Sequence, residues 1–141
     1  MKIDERQAMV ADFFKKEKYV VVASTWNGSP QAATVAFTER SNHELIFATS
    51  NCSRKYRNLK ADPKIAVVVG WDEAVTVQGQ GSAFELAGQE QVEAEEAHLK
   101  KHPTSARYST LVSQRFFQVK FSWIRYTDIS QEPEFSFEIN F

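Results

Sequence analysis

The side chains best suited to chemistry in this chain are Thr49, Ser50, Ser53, Arg54 and Lys55, set between two apolar runs. They lie in the stretch Leu45 to Val69, LIFATSNCSRKYRNLKADPKIAVVV, which opens on Leu45-Ile46-Phe47-Ala48 and closes on Ile65-Ala66-Val67-Val68-Val69. Both ends read as buried strands. The segment between them reads as one short helix: Ser53 is a good N-cap, Tyr56 and Leu59 fall one turn apart, and Asp62 before Pro63 stops it. A strand therefore enters a helix N-terminus that carries a hydroxyl and two cations. Free backbone N–H groups and the helix dipole favour an anion there, the dipole by about 0.3–1 kcal/mol. Arg54 would add a bidentate fork, Lys55 a point charge, and the three hydroxyls further donors. Phosphate suits such a set. Spacing alone leaves a second reading open, a capped surface helix whose cations are merely solvated.

The elements that must position this loop can be read along the chain. Asp4 to Lys18 reads as an amphipathic helix, with Asp4 as N-cap and Lys15, Lys16 and Lys18 at its C-terminal end. Tyr19 to Ser24 reads as a strand, Asn27-Gly28 as a hairpin turn, and Gln31 to Thr38 as the returning strand. In that strand Ala33, Val35 and Phe37 alternate with Thr34, Ala36 and Thr38. One face is apolar, and the other is small enough for a flat group to lie on it or for a strand to sit half exposed. After a turn at Gly70-Trp71-Asp72-Glu73 comes a long strand, Ala74 to Leu86, with Gly79 and Gly81 marking a bulge or bend.

Gln89 to His102 reads as an acidic helix ended by Pro103, with Val92, Ala94, Ala97 and Leu99 as its apolar content. A short helical turn is expected within Ser105 to Ser113, a strongly alternating strand over Phe116 to Tyr126, and a last strand or arm over Glu134 to Phe141. This order implies a mainly β (α+β) fold with peripheral helices, its antiparallel strands closed or partly closed into a barrel. Phe13, Phe14, Trp123 and the run Phe135 to Phe141 carry more apolar surface than a small barrel needs inside. A dimer interface would absorb it.

At 141 residues the chain fits a single domain spanning 1–141. Its net charge of −1 argues against a nucleic-acid or membrane-surface binder, since both need a broad basic face. No apolar stretch is long enough to span a bilayer, and MKIDERQAMVADFF has acids where a signal peptide has a basic region, so a cytoplasmic location is expected. Cys52 is the only cysteine, and no histidine lies near it in sequence to act as a base, so it reads as filler. CxxC, HExxH, Walker and GxGxxG patterns are absent, and His43, His98 and His102 are scattered among polar neighbours, so no metal site is expected.

The run FATSNCSRKYRNLKADPKIAVVVGW, with PQAATVAF before it and VTVQGQGSAFEL after it, resembles the pyridoxamine 5′-phosphate oxidase-like split barrels, including general stress protein 26-like members. The resemblance extends from about Val20 to Tyr126. It implies an antiparallel split barrel that binds flavin mononucleotide (FMN) at a homodimer interface. By position, Ser53, Arg54 and Lys55 would hold the phosphate, Thr49 would donate a further hydrogen bond, and the backbone of Ala33, Thr34 and Val35 would run along the ring. Thr76 falls where the oxidases place a Gln. Two departures stand out: the oxidases have Arg and Lys at the positions of Ala33 and Thr38, and an Arg-x-His segment where this chain reads EFSFEINF. Genuine pyridoxamine phosphate oxidase activity is therefore not expected.

The resemblance implies a homodimeric flavoprotein oxidoreductase acting on a small-molecule substrate or electron donor, with the hydride chemistry residing in the flavin. No catalytic acid or base is assigned; Tyr56, Tyr108 and His102 read more simply as surface or core. The alternative is a non-catalytic flavin-binding or stress-related protein with a degenerate site. Related split barrels also bind haem or a deazaflavin, but haem needs an axial ligand, and two of the three histidines lie in the acidic helix.

Overall fold

The computed structural model describes residues 1–41, 43–108 and 113–141, with residues 106–108 as backbone. The elements are α1 (Ile3–Lys16), β1 (Tyr19–Trp26), β2 (Ser29–Arg40), β3 (Glu44–Ser50), α2 (Arg54–Ala61), β4 (Lys64–Val69), β5 (Val75–Glu85), α3 (Gln89–Lys101), a 3₁₀ turn (Pro103–Tyr108), β6 (Gln114–Asp128) and β7 (Phe135–Asn140). The strands form one antiparallel sheet in the order β3-β2-β1-β4-β5-β6-β7, and a further β3–β6 pairing closes six of them into a barrel. A mainly β split barrel with peripheral helices is thus what the sequence folds into.

Local signals set most of this path. Trp26 faces Ser29 across a turn whose Asn27 and Gly28 have φ of 50° and 81°, the left-handed pair that a tight hairpin of this twist requires. The expected bend in β5 is a register shift against β6 between Gln80 and Gly81. There a Cβ on residue 81 would stand 2.0 Å from the carbonyl oxygen of Lys120, so only glycine lets the strands approach. Phe14, Phe37, Phe47, Phe117, Val20 and Val22 fill the interior, and Leu59 plugs it from α2. Phe47 and Phe117 stack with centroids 5.7 Å apart.

Several expectations are corrected. Helix α1 begins at Ile3, with Lys2 as N-cap, because the Glu5 carboxylate accepts from the Lys2 N–H; Asp4 lies within the first turn. Phe14 and Ile139 are fully buried and Phe13, Phe135 and Phe137 pack with the core, whereas Trp123 is half-buried and Phe141 50% exposed. The inward residues of α3 are Ala94 and His98, whereas Val92 is 48% exposed. Of the turn expected within 105–113, the 3₁₀ segment ends at Tyr108, and residues 109–112 lie outside the described ones. No helix among the described residues is long and apolar enough to cross a membrane.

Candidate functional site

The loop between β3 and α2 is built as its residue types dictate. Ser53 caps the helix: its Oγ accepts from the Tyr56 N–H at 3.2 Å and shares a 2.8 Å hydrogen bond with Thr49 Oγ1. The Cys52 N–H donates to Ser50 Oγ at 3.1 Å, and the Ser53 N–H to the Ser50 carbonyl at 3.0 Å. The hydroxyls of Thr49, Ser50 and Ser53 therefore first fix the loop, and Thr49 is buried. Cys52 is exposed.

Helix α2 is locked in place at two points. On one side Asn58, fully buried, donates through Nδ2 to Ser24 Oγ (3.1 Å) and Gln31 Oε1 (3.0 Å) and accepts from the Arg57 guanidinium at 3.0 Å. Arg57 in turn lies over the Trp26 ring, 4.0 Å from its centroid. On the other side the Glu85 carboxylate accepts from Tyr56 Oη (2.8 Å) and Lys60 Nζ (3.2 Å) and faces Arg115 at 3.6 Å. Burial pushes the Glu85 carboxyl up, but the bonds from Tyr56 and Lys60 outweigh it and leave it below its ordinary value. The same bond from Tyr56 raises its phenol.

Between this helix start and β2 lies a cleft of about 190 Å³ lined by Gln31, Ala32, Ala33, Arg54 and Lys55. Burial lowers the Lys55 ammonium from its ordinary range. Among the described residues neither Arg54 nor Lys55 has an ion-pair partner. Arg54 and Lys55 thus lie across this space from Gln31, Ala32 and Ala33 of β2. Two cations without carboxylate partners suit such a space to an anion.

Of the residues singled out from sequence, Ala33, Arg54 and Lys55 meet in this cleft, and Ser53 and Thr49 hold its loop. Val35 turns inward and packs on the core, while Thr34 is exposed on the opposite face of the strand. Thr76 lies elsewhere, on β5 opposite Thr127 of β6. It is three strands from β2 in either direction around the barrel. Gln31 and Ala32 complete the cleft and were missed, because a strand side chain announces its neighbour across a helix by no local pattern.

The histidines of α3 also differ from expectation. His98 and His102 are buried, their ring centroids 4.8 Å apart. His98 Nδ1 is hydrogen-bonded to Thr38 Oγ1 at 3.1 Å, and His102 Nε2 donates to the Phe37 carbonyl at 2.6 Å. Thr38, only 5% exposed, is thereby sealed beneath α3. Burial, with the nearby His102 and Lys101 charges, pushes the His98 imidazole down to about 4. The Tyr108 side chain lies outside the described residues. Among the described residues no cluster of three metal-ligating side chains occurs.

A profile of the pyridoxamine 5′-phosphate oxidase family matches residues 7–128, nearly the whole barrel. The chain belongs to this family. A pyridoxine/pyridoxamine 5′-phosphate oxidase of Rubrobacter xylanophilus is 25% identical over 112 residues, which are 77% of this chain and 49% of that protein. The chain thus spans about half the length of that curated relative. Among solved structures, general stress protein 26 of Bacillus anthracis superposes with a TM-score of 0.72 at 16% identity, over 86% of this chain and 93% of that one. A haem-binding protein of Mycobacterium smegmatis gives 0.77 at 18% identity, over 97% and 58%. At such identities these two likenesses establish the family's split-barrel fold.

Proposed function

We propose that this member of the pyridoxamine 5′-phosphate oxidase family binds FMN as a homodimer and acts as an oxidoreductase toward a small-molecule substrate or electron donor. The observation that carries the reading is the cleft: Arg54 and Lys55, without carboxylate partners among the described residues, line it together with Gln31, Ala32 and Ala33 of β2. The donor set fits a phosphate. Arg54 and Lys55 would hold it, the Ser53-capped helix start would add backbone N–H groups, and the Thr49–Ser53 bond would keep the loop in shape. Thr34 and the backbone of Ala33 and Val35 would border the ring. When bound, the flavin supplies the hydride chemistry, and the protein's part is to bind and orient it. A role for Thr76 requires the second copy, whose β5 would have to face this cleft.

One observation favours a non-catalytic binder as the second reading. At the two positions where the oxidases use Arg and Lys, this chain has Ala33 and a Thr38 already committed to His98. The chain would then hold flavin weakly or without turnover. Haem ligation by α3 is not proposed, because His98 and His102 are both buried and bonded to β2.

The deciding experiment is an absorbance spectrum of the purified protein before and after addition of FMN and dialysis. Flavin bands that stay with the protein support the cofactor, and reduction of the bound flavin by a nicotinamide donor supports the oxidoreductase. A protein that retains no flavin overturns the reading.

A further inference from the structure

The hydrogen bonds beside the cleft of Arg54 and Lys55 run in one direction, and Arg57 sets it. A guanidinium only donates. Its Nη2 and Nε stand 3.0 and 3.3 Å from one end of the Asn58 amide, so that end is the oxygen Oδ1 and the other is Nδ2. Asn58 is fully buried, and both of its N–H bonds need acceptors. One reaches Ser24 Oγ at 3.1 Å and the other Gln31 at 3.0 Å. Ser24 would serve an amide turned either way, because a hydroxyl both donates and accepts; Arg57 would not.

The direction passes on to Gln31. The atom that meets an N–H of Asn58 must be its carbonyl oxygen, Oε1. Its Nε2, with two hydrogens, is then the free end of the amide, and among the described residues it has no hydrogen-bond partner. Gln31 is half-buried and lines the cleft with Arg54 and Lys55. The end of its side chain left for a ligand is therefore a donor.

We propose that Gln31 is a specificity-determining residue of this cleft, its Nε2 donating to the phosphate of the bound ligand beside Arg54 and Lys55, and that Asn58 is the positioning residue that keeps the donor end turned to the ligand. The proposal rests on the reading of the cleft as the FMN phosphate site. A third cation here would stand beside two like charges. A neutral amide supplies N–H groups to phosphate oxygens without that repulsion. Arg57 acts at one further remove: lying 4.0 Å from the centroid of the Trp26 ring, it holds the orientation of Asn58 and, through it, that of Gln31.

The test titrates the whole chain with FMN and with riboflavin, which has no phosphate. Gln31→Met keeps the length of the side chain and removes the donor; it should weaken FMN about tenfold and riboflavin by no more than about twofold. Gln31→Glu keeps an acceptor for Asn58, which guards against a loss that is only one of folding, and it turns an acceptor to the cleft; it should weaken FMN more than Gln31→Met does. Asn58→Asp still accepts from Arg57 but has no N–H for Gln31, so the Gln31 amide should turn over, offer Oε1 to the cleft and again lower FMN affinity about tenfold. In the Gln31→Met background that same substitution should cost little more, because no amide is left to turn. FMN affinity unchanged in Gln31→Met and lowered in Arg54→Ala/Lys55→Ala would overturn the proposal and leave the flavin reading standing. Equal weakening of FMN and riboflavin in Gln31→Met, or an Asn58→Asp loss of the same size in both backgrounds, would also overturn it. An unaltered chain that binds no FMN would overturn both.

Discussion

Asn58 Nδ2 stands 3.1 Å from Ser24 Oγ and 3.0 Å from Gln31 Oε1, so one buried amide of α2 is tied to both strands of the first hairpin. Removing it strands those groups, and the cost of an unmade buried hydrogen bond exceeds the gain from making one. Asn58→Leu, similar in volume, should lower the unfolding free energy by about 2–4 kcal/mol, read as a lower urea midpoint at unchanged slope. An unaltered midpoint would remove the clamp from the account of how the cleft is held.

The cleft reading makes a ligand-specific prediction. Arg54→Ala/Lys55→Ala should weaken FMN binding by several kcal/mol, at about 1.5–3 kcal/mol for each lost charge-assisted contact. Riboflavin, which has no phosphate, should keep its affinity. Titration calorimetry with both ligands checks this, and an equal loss for the two would show that the cations do not hold the phosphate.

His98 links stability to pH. Its imidazole is pushed down to about 4 from an ordinary 6.5, so in the window between those values the unfolded chain takes up a proton that the folded chain refuses. The contribution is complete above pH 6.5 and is lost as pH falls toward 4, amounting to roughly 3 kcal/mol at most. His98→Gln keeps a polar partner for Thr38 and should flatten that part of the stability curve. Thermal midpoints of the two proteins at matched pH values test this; parallel curves would be the contrary result.

Much of this architecture was legible because its causes are local. The Ser53 cap, the Asp62-Pro63 stop, the Asn27-Gly28 turn and the bulge at Gly81 each follow from what one or two residues allow their own backbone to do. What sequence did not reveal depends on distant partners. A closed barrel was expected, but not that β3 and β6 close it with Leu45 against Val119, a pairing no short window contains. Thr38 reads as one more small residue on the open face of a strand until α3 covers it with His98. The histidines themselves sit among lysines and glutamates in the chain and become interior only through the angle at which α3 lies on the barrel.

That β6 borders β3, β5 and β7 has a consequence for how the protein comes into being. A nascent chain that has emerged only through β5 exposes one unsatisfied edge of β3 and one of β5, and both await the same absent strand. At synthesis rates of about 5–20 residues per second this interval lasts for seconds. Open edges are templates for foreign strands. The vulnerability of this barrel to aggregation is therefore concentrated before the arrival of β6, and chaperone demand should end when that strand seals both edges at once.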